Sequence, residues 1–260
     1  IGVDAFRNCT SLTSIDIPNS VSTITEFTFY NCSSLKSVTI PNSVTSIGEY
    51  AFKECSSLNS LTIPNSVTNI GEAAFCGCSA LTSVSIPNSV TSIGVDAFWA
   101  CSGLISVTIG NSVTNIGKYA FKDCSRLSSI EIPNSVTSIN KGTFDDCYAL
   151  TSVTIGNSVT NIDEYAFSDC SSLTSVTIGA SVTRISNLAF DGSKNIKELI
   201  YADGCSTAIK TGLTNITSVT IPNSVKSIDI DAFYKCSGLT SVMIPNSVTS
   251  IGKTAFYGCN

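Results

Sequence analysis

Leu81-Thr82-Ser83-Val84-Ser85-Ile86-Pro87-Asn88-Ser89-Val90-Thr91-Ser92-Ile93-Gly94-Val95-Asp96-Ala97-Phe98-Trp99-Ala100-Cys101 contains every landmark that the rest of the chain repeats. The landmarks return at a step of 23 residues, in Cys9, Cys32, Cys55, Cys78, Cys101, Cys124, Cys147 and Cys170 and in the phenylalanines from Phe6 to Phe190. One such unit cannot bury its own apolar face, whereas stacked units bury a continuous one. The sequence is therefore a tandem array, and its function is expected on a repeated surface.

A period of about 20 to 29 residues with this apolar spacing points to a leucine-rich-repeat solenoid. The strand-opening anchors are Leu12, Leu35, Leu58, Leu81, Leu104, Leu127, Leu150, Leu173, Ile196, Ile216 and Leu239, which predicts eleven strand modules. Ser37-Val38-Thr39-Ile40 alternates polar and apolar with β-branched residues, the pattern of a half-buried strand. Pro41-Asn42-Ser43 turns the chain, and Val44-Thr45-Ser46-Ile47 reads as a second short extended segment. The next position holds Gly48, Gly71, Gly94, Gly117 and Gly252, or Asn140 and Asp163, types that accept a positive φ. A single helical turn through Ala51-Phe52 to Cys55 is expected to close each circuit. Successive strands reached by a full crossover are parallel, and such crossovers are right-handed in nearly all cases. Equal positions then stack about 4.8 Å apart into ladders, with Phe, Cys, Leu, Val and Ile inward and Ser, Thr and charge outward.

The pattern resembles the BspA-like branch of the leucine-rich repeats, whose copies run close to the string at residues 81–98. The resemblance covers the whole chain. It implies a β-rich right-handed parallel coil, residues 1–260 as one solenoid domain, and a surface or secreted protein of a host-associated microbe. It further implies an adhesive role toward host matrix or other cells, with a protein as partner.

Ile1-Gly2-Val3-Asp4-Ala5-Phe6 aligns with Ile93-Gly94-Val95-Asp96-Ala97-Phe98, so the chain starts in mid-unit and is expected to be part of a longer array whose signal and anchor lie elsewhere. At 13% charged residues and net charge −5, with its fourteen basic residues scattered, it offers no clustered cations for nucleic acid. No apolar run approaches the roughly 20 residues needed to span a bilayer. There is no histidine, which removes the usual general base and with it Ser-His-Asp and Cys-His arrangements. No small-molecule substrate, cofactor or enzymatic activity is expected.

Ten of the twelve cysteines share one ladder position, where like side chains lie farther apart than disulfide geometry prefers; buried free thiols are expected. Cys76 and Cys205 lie off the ladder. Cys76 matches Lys53 and Trp99, and reads as an exposed thiol, either reactive or inert. The asparagines from Asn19 to Asn157 form a further ladder, expected to bond between coils. Asn8, Asn31 and Asn215 begin Asn-x-Ser/Thr sequons, which matter only in a eukaryotic secretory pathway.

Variation gathers around the closing turn, where a partner would find individuality. Tyr50, Tyr119 and Tyr165 share one position there, and Tyr30, Trp99, Tyr234 and Tyr257 another. Exposed aromatic residues anchor protein interfaces, so Tyr50, Trp99, Tyr119 and Tyr165 are the candidate protein-binding residues. The same rings could equally cover the solenoid edge. Asp123, Asp146 and Asp169 form an acidic row that either stays solvated, offset by Lys122 and Lys141, or takes a hard cation such as Ca²⁺. Between Phe190 and Phe233 the step is 43 residues, 23 plus 20, so a module at about 191–213 is three residues short. It is expected to bend the coil. A passive spacer between a cell wall and another domain fits the hydroxyl-rich surface as well as adhesion does. A polysaccharide-active coil would need converging acids with Lys or Arg, and an ice-binding one an unbroken hydroxyl lattice.

Overall fold

The computed structural model describes residues 1–259, which wind into a parallel β-solenoid of about ten turns. Its first row holds Ser14–Asp16, Ser37–Thr39, Ser83–Ile86, Ser106–Ile109, Ser129–Glu131, Ser152–Thr154, Ser175–Ile178, Glu198–Tyr201 and Ser218–Thr220. The anchor at Leu58 yields only a bridge from Ser60 to Ser37, and that at Leu239 yields no strand, so nine strands stand where eleven were expected. Pairing is in register with the repeat, as in Ser83 with Ser106 and Val84 with Val107. A second row of two-residue strands runs from Thr23–Ile24 to Ser250–Ile251. It breaks twice, between Asn115–Ile116 and Ser138–Ile139, where the glycine row gives way to Asn140, and between Arg184–Ile185 and Thr207–Ala208, at the short module.

The inward ladders form one continuous core. Phe6, Phe29, Phe52, Phe75, Phe98, Phe121, Phe144, Phe167 and Phe190 stack face to face at 5.0–5.5 Å, and Phe233 on Phe256 resumes the stack beyond the short module. Such pairs add to the area they bury. All twelve cysteines are free, and ten are buried. Most ladder thiols donate to the phenylalanine carbonyl 26 residues back, as Cys124 does to Phe98 O at 3.3 Å, whereas Cys236, beyond the short module, donates to Leu213 O at 3.1 Å. Ser193 replaces a ladder cysteine and makes the same bond to Phe167 O at 2.7 Å, so a hydroxyl takes over the thiol's role.

Two sequence expectations fail in the closing turn. Among the described residues there is no helix. The turn instead carries two left-handed residues four apart: Tyr50 and Glu54 (φ 56° and 61°), Asp96 and Ala100 (56° and 57°), Tyr119 and Asp123 (57° and 58°). Alternate backbone N–H groups consequently point to the neighbouring coil, as Phe52 N does to Ala74 O at 2.7 Å, and those between them close three-residue turns, as Lys53 N does to Tyr50 O at 3.1 Å, in place of the bonds four residues back that a helix requires. The glycine row does not supply the positive φ either. A Cβ on Gly94 would lie 2.5 Å from the Gly71 carbonyl carbon and 2.6 Å from Glu72 N, so these glycines serve the close approach of one coil to the next.

Left-handed backbone costs an ordinary L-residue roughly 1–2 kcal/mol that glycine avoids. Ala100→Gly is therefore expected to raise stability by about 0.5–1 kcal/mol. Ala97→Gly, at a buried position of the same turn without positive φ, is expected to lower it. Chemical denaturation of the two variants checks the opposite signs.

Candidate functional site

The two left-handed rows determine what the turn edge can display. The second row reads Asn8, Asn31, Glu54, Gly77, Ala100, Asp123, Asp146, Asp169, Gly192, Lys235 and Gly258, all at positive φ. Asn, Asp and Gly are the types that tolerate it, so backbone conformation accounts for the aspartate row. That signal is legible in the composition of the position. Asn31 Nδ2 also donates to Asn8 Oδ1 at 3.0 Å, linking two of the sequon asparagines across coils.

Tyr50, Tyr119 and Tyr165 stand on the first left-handed row, half-buried, in separate coils. Tyr50 stacks on Phe27 at 4.8 Å and 5°, donates its hydroxyl to Glu72 Oε1 at 2.5 Å, and carries Lys53 Nζ 5.5 Å from its ring centre. The hydrogen bond to Glu72 and burial push its phenol up to about 12, so it stays a donor at neutral pH. Tyr119 packs closely over Gly142, and Tyr165 carries Lys141 Nζ at 5.6 Å. Trp99 is exposed, and its Nε1 donates to Asp123 Oδ2 at 2.8 Å. The four are thus distributed along one edge, not gathered into a pocket. Sequence reading missed Phe27, which shares the Tyr50 position, and Arg7, whose guanidinium lies 5.1 Å from the Phe27 ring and 5.0 Å from that of Tyr30. It also missed Tyr148, which is 46% exposed and donates to Asp146 Oδ1 at 2.8 Å.

The acids that converge are Asp145, Asp146 and Asp169, with ligand atoms within 4.8 Å of one another. Asp123 is engaged with Trp99. Lys122 Nζ already bridges Asp145 at 2.6 Å and Asp146 at 2.5 Å. Burial alone would lower the Lys122 pKa, but the two carboxylates outweigh it and raise it. Burial alone would raise Asp146, but the bonds from Lys122 and Tyr148 hold it below its ordinary 3.8. A depressed carboxylate stabilises the fold above its ordinary pKa, and that contribution is lost as pH falls through the folded value. Lys122→Ala is expected to cost about 1–3 kcal/mol at pH 7. It also reverses the sign: without Lys122, burial outweighs the remaining Tyr148 bond and raises the Asp146 pKa, so mild acidification toward pH 4 should stabilise the variant while it does not stabilise the parent. Thermal melts of both chains across pH 4–7 check this.

Cys76 is buried, not exposed as its row suggested, because the short side chain sits at a position that its neighbours fill with the longer Lys53 and Trp99. Burial pushes its thiol up to about 11. Cys205 is buried too: Tyr201 pairs with Ile178, which places Cys205 on the inward valine position, and burial raises its pKa. Only Cys9 is exposed and Cys259 partly so. A thiol reagent is expected to modify Cys9 quickly, Cys259 more slowly and neither Cys76 nor Cys205 until the chain is unfolded; fast labelling of Cys76 would contradict its placement.

The asparagine ladder bonds through backbone, not through stacked amides: Asn111 N donates to Asn88 Oδ1 at 2.8 Å, and Asn157 N to Asn134 Oδ1 at 2.7 Å. Hydroxyls of the second row are likewise committed, Thr68, Thr91 and Thr114 donating to the carbonyls of Thr45, Thr68 and Thr91 at 3.2–3.3 Å. Among the described residues no helix is long and apolar enough to cross a membrane.

The model of the BspA type leucine-rich repeat region matches in six copies over residues 1–126, 97–213 and 209–260. A search of curated proteins gives no match. Among solved structures, a leucine-rich repeat protein from Bacteroides ovatus is 29% identical over 100% of this chain and 79% of its own, with a TM-score of 0.68. A leucine rich cell surface protein from Faecalibacterium prausnitzii is 32% identical over 95% of this chain and 77% of its own, with a TM-score of 0.56. A leucine-rich repeat protein from T. pallidum is 29% identical over 67% of this chain and 72% of its own, with a TM-score of 0.52.

Proposed function

Because the chain belongs to the BspA-type leucine-rich repeat family, we propose that it is a protein-binding surface solenoid, an adhesin-type module that contacts host matrix or other cells. The observation that carries this reading is the aromatic turn edge. Tyr50, Trp99, Tyr119 and Tyr165 hold fixed orientations through stacking, hydrogen bonds and left-handed backbone, and three of them stand beside Lys53, Asp123 or Lys141. Rigid amphipathic rings flanked by charge bury area at low entropic cost. Likeness to a Faecalibacterium protein described as a cell surface protein supports placing this one at the surface.

Affinity on such an edge comes from contacts repeated over several coils. The edge acts by binding, with no catalytic group and no cofactor. A second reading, a spacer that holds another domain away from the cell wall, is favoured by the hydroxyl row already committed to neighbouring coils. Surface plasmon resonance of the folded chain over immobilised fibronectin, laminin and collagen separates the two. Saturable binding to any of them supports the adhesive reading; a flat response from a chain that melts cooperatively supports the spacer.

A further inference from the structure

Every regular turn passes backbone N–H groups to the coil after it. Phe144 N and Phe167 N donate to Ala166 O and Ala189 O at 2.9 and 2.8 Å, and Asp146 N and Asp169 N donate to Ser168 O and Asp191 O at 3.0 and 2.8 Å. Phe190 and Gly192 hold those two positions in the next turn, and the register aims their N–H groups where a following turn would lie. The short module supplies none, since residues 209–215 run directly between the Thr207–Ala208 strand and the anchor Ile216. On its far side Ala232 O and Tyr234 O occupy positions that Ala74 and Cys76 fill elsewhere as acceptors. Among the described residues neither the two donors nor the two acceptors have a hydrogen-bond partner. Tyr201 repairs the core beneath, buried edge-on to Phe233 at 6.5 Å with its hydroxyl on Ile209 O at 2.8 Å, but it does not fill the turn edge. What remains is a cavity of about 250 Å³ lined by Phe190, Gly192, Ile196, Leu213, Thr214 and Asn215.

We propose that this notch is a peptide seat. It takes an extended segment of a partner protein whose backbone carbonyls, two residues apart, accept from Phe190 N and Gly192 N, with an aromatic or large aliphatic side chain between them. Donors two residues apart are the spacing of an exposed strand edge, which peptides complete by main-chain bonding. The side chain follows from the ladder: the residue between the accepting carbonyls of Ala74 and Cys76 is Phe75, stacked on Phe52 at 5.3 Å, whereas Phe190 meets a ring only on its Phe167 side. A cavity of this size, just below the roughly 300–1,000 Å³ of small-ligand pockets, admits a few residues and no more. The seat rests on the protein-binding reading for its partner being a protein, and gives that partner one defined contact on an otherwise repetitive surface.

Amide hydrogen exchange tests it, with the capped hexapeptide Glu-Tyr-Ala-Phe-Ser-Asp, the sequence of residues 164–169, as probe. In the chain alone the Phe190 and Gly192 amides are expected to exchange at least about tenfold faster than those of Phe144 and Phe167, and saturating peptide to slow both by about tenfold. A peptide with aspartate in place of its phenylalanine should give no protection. Replacing residues 209–215 by the ten residues 163–172 restores a regular turn and should abolish the effect; Thr214→Trp, which plugs the cavity without altering chain length, should do the same should the longer replacement fail to fold. Amides of Phe190 and Gly192 that are already as protected as Phe167, or that ignore millimolar peptide, would overturn the seat. A matrix protein bound equally by the parent and by either blocked variant, with no peptide protection, overturns the seat and leaves the adhesive reading standing. Peptide protection without any matrix binding supports the seat and removes host matrix as its partner's source.

Discussion

Phe121→Ala is expected to lower the stability of the chain by about 3–5 kcal/mol. Phe121 is fully buried and stacked between Phe98 and Phe144 at 5.3 and 5.5 Å, so alanine removes the ring from both contacts at once. The coils around it cannot collapse into the space, because Phe121 N and the neighbouring amides fix the distance between coils. In a solenoid each unit touches only its neighbours, so the loss falls on one interface and lowers the cooperativity of unfolding as well as its midpoint. Phe256→Ala is the control: its ring is partly exposed and meets only Phe233, and it should cost less than half as much. Equal costs at the two positions would contradict this account, because both the area buried and the number of ring contacts are greater at Phe121.

Gly94→Val is expected to be at least as disruptive as an overpacked core substitution, about 3 kcal/mol or more. The colliding atoms are the Gly71 carbonyl and Glu72 N, which are backbone and cannot swing aside as a side chain would. The bond from Gly94 N to Ile70 O at 2.9 Å would have to lengthen, separating two coils along the second row. Asn140 shows what such a separation looks like in the native chain. Its side-chain amide reaches Ile116 O at 2.6 Å, the second row breaks there, and the packing is rebuilt around the longer residue. Gly2→Val provides the control, since no atom lies within 4 Å of a Cβ there and stability should not change. Urea denaturation of the three chains decides the point; a neutral Gly94→Val would show that the row is glycine for some reason other than coil approach.

Much of the architecture was legible because periodicity reports which residues share a face. Val38, Ile47, Phe52 and Cys55 recur at one step, and all are buried. Periodicity says less about the backbone path between faces. The closing turn looked helical because Ala51, Phe52 and Cys55 fall at helix-like spacing, but the same spacing arises from a turn with two left-handed residues, and the residues that betray it are Asn8, Gly77, Asp123 and Gly258 on their own row. Glycine at position 94 carries two possible messages, positive φ or close approach, and the sequence does not separate them. Cys76 misled because exposure depends on the length of a residue's neighbours as well as on its row. The aromatic residues of the edge stand out one by one in the sequence, whereas Phe27 and Glu72 come from adjacent coils, and only the stacking register brings them to Tyr50 and sets Arg7 over Phe27.

The adhesive proposal puts the partner contact on the turn edge and not on the strand face. The direct measurement compares three chains for binding to whichever matrix protein the parent binds. These are the parent, a variant with Tyr50, Trp99, Tyr119 and Tyr165 all changed to serine, and a variant with Thr62, Thr108 and Thr154 on the strand face changed to lysine. Contacts spread over several coils predict that each single serine substitution weakens binding by only about threefold, that the fourfold variant loses about eightyfold, and that the strand-face variant binds as the parent does. Full binding by the fourfold variant, with loss in the strand-face variant, would put the contact on the strand face and overturn the turn-edge proposal.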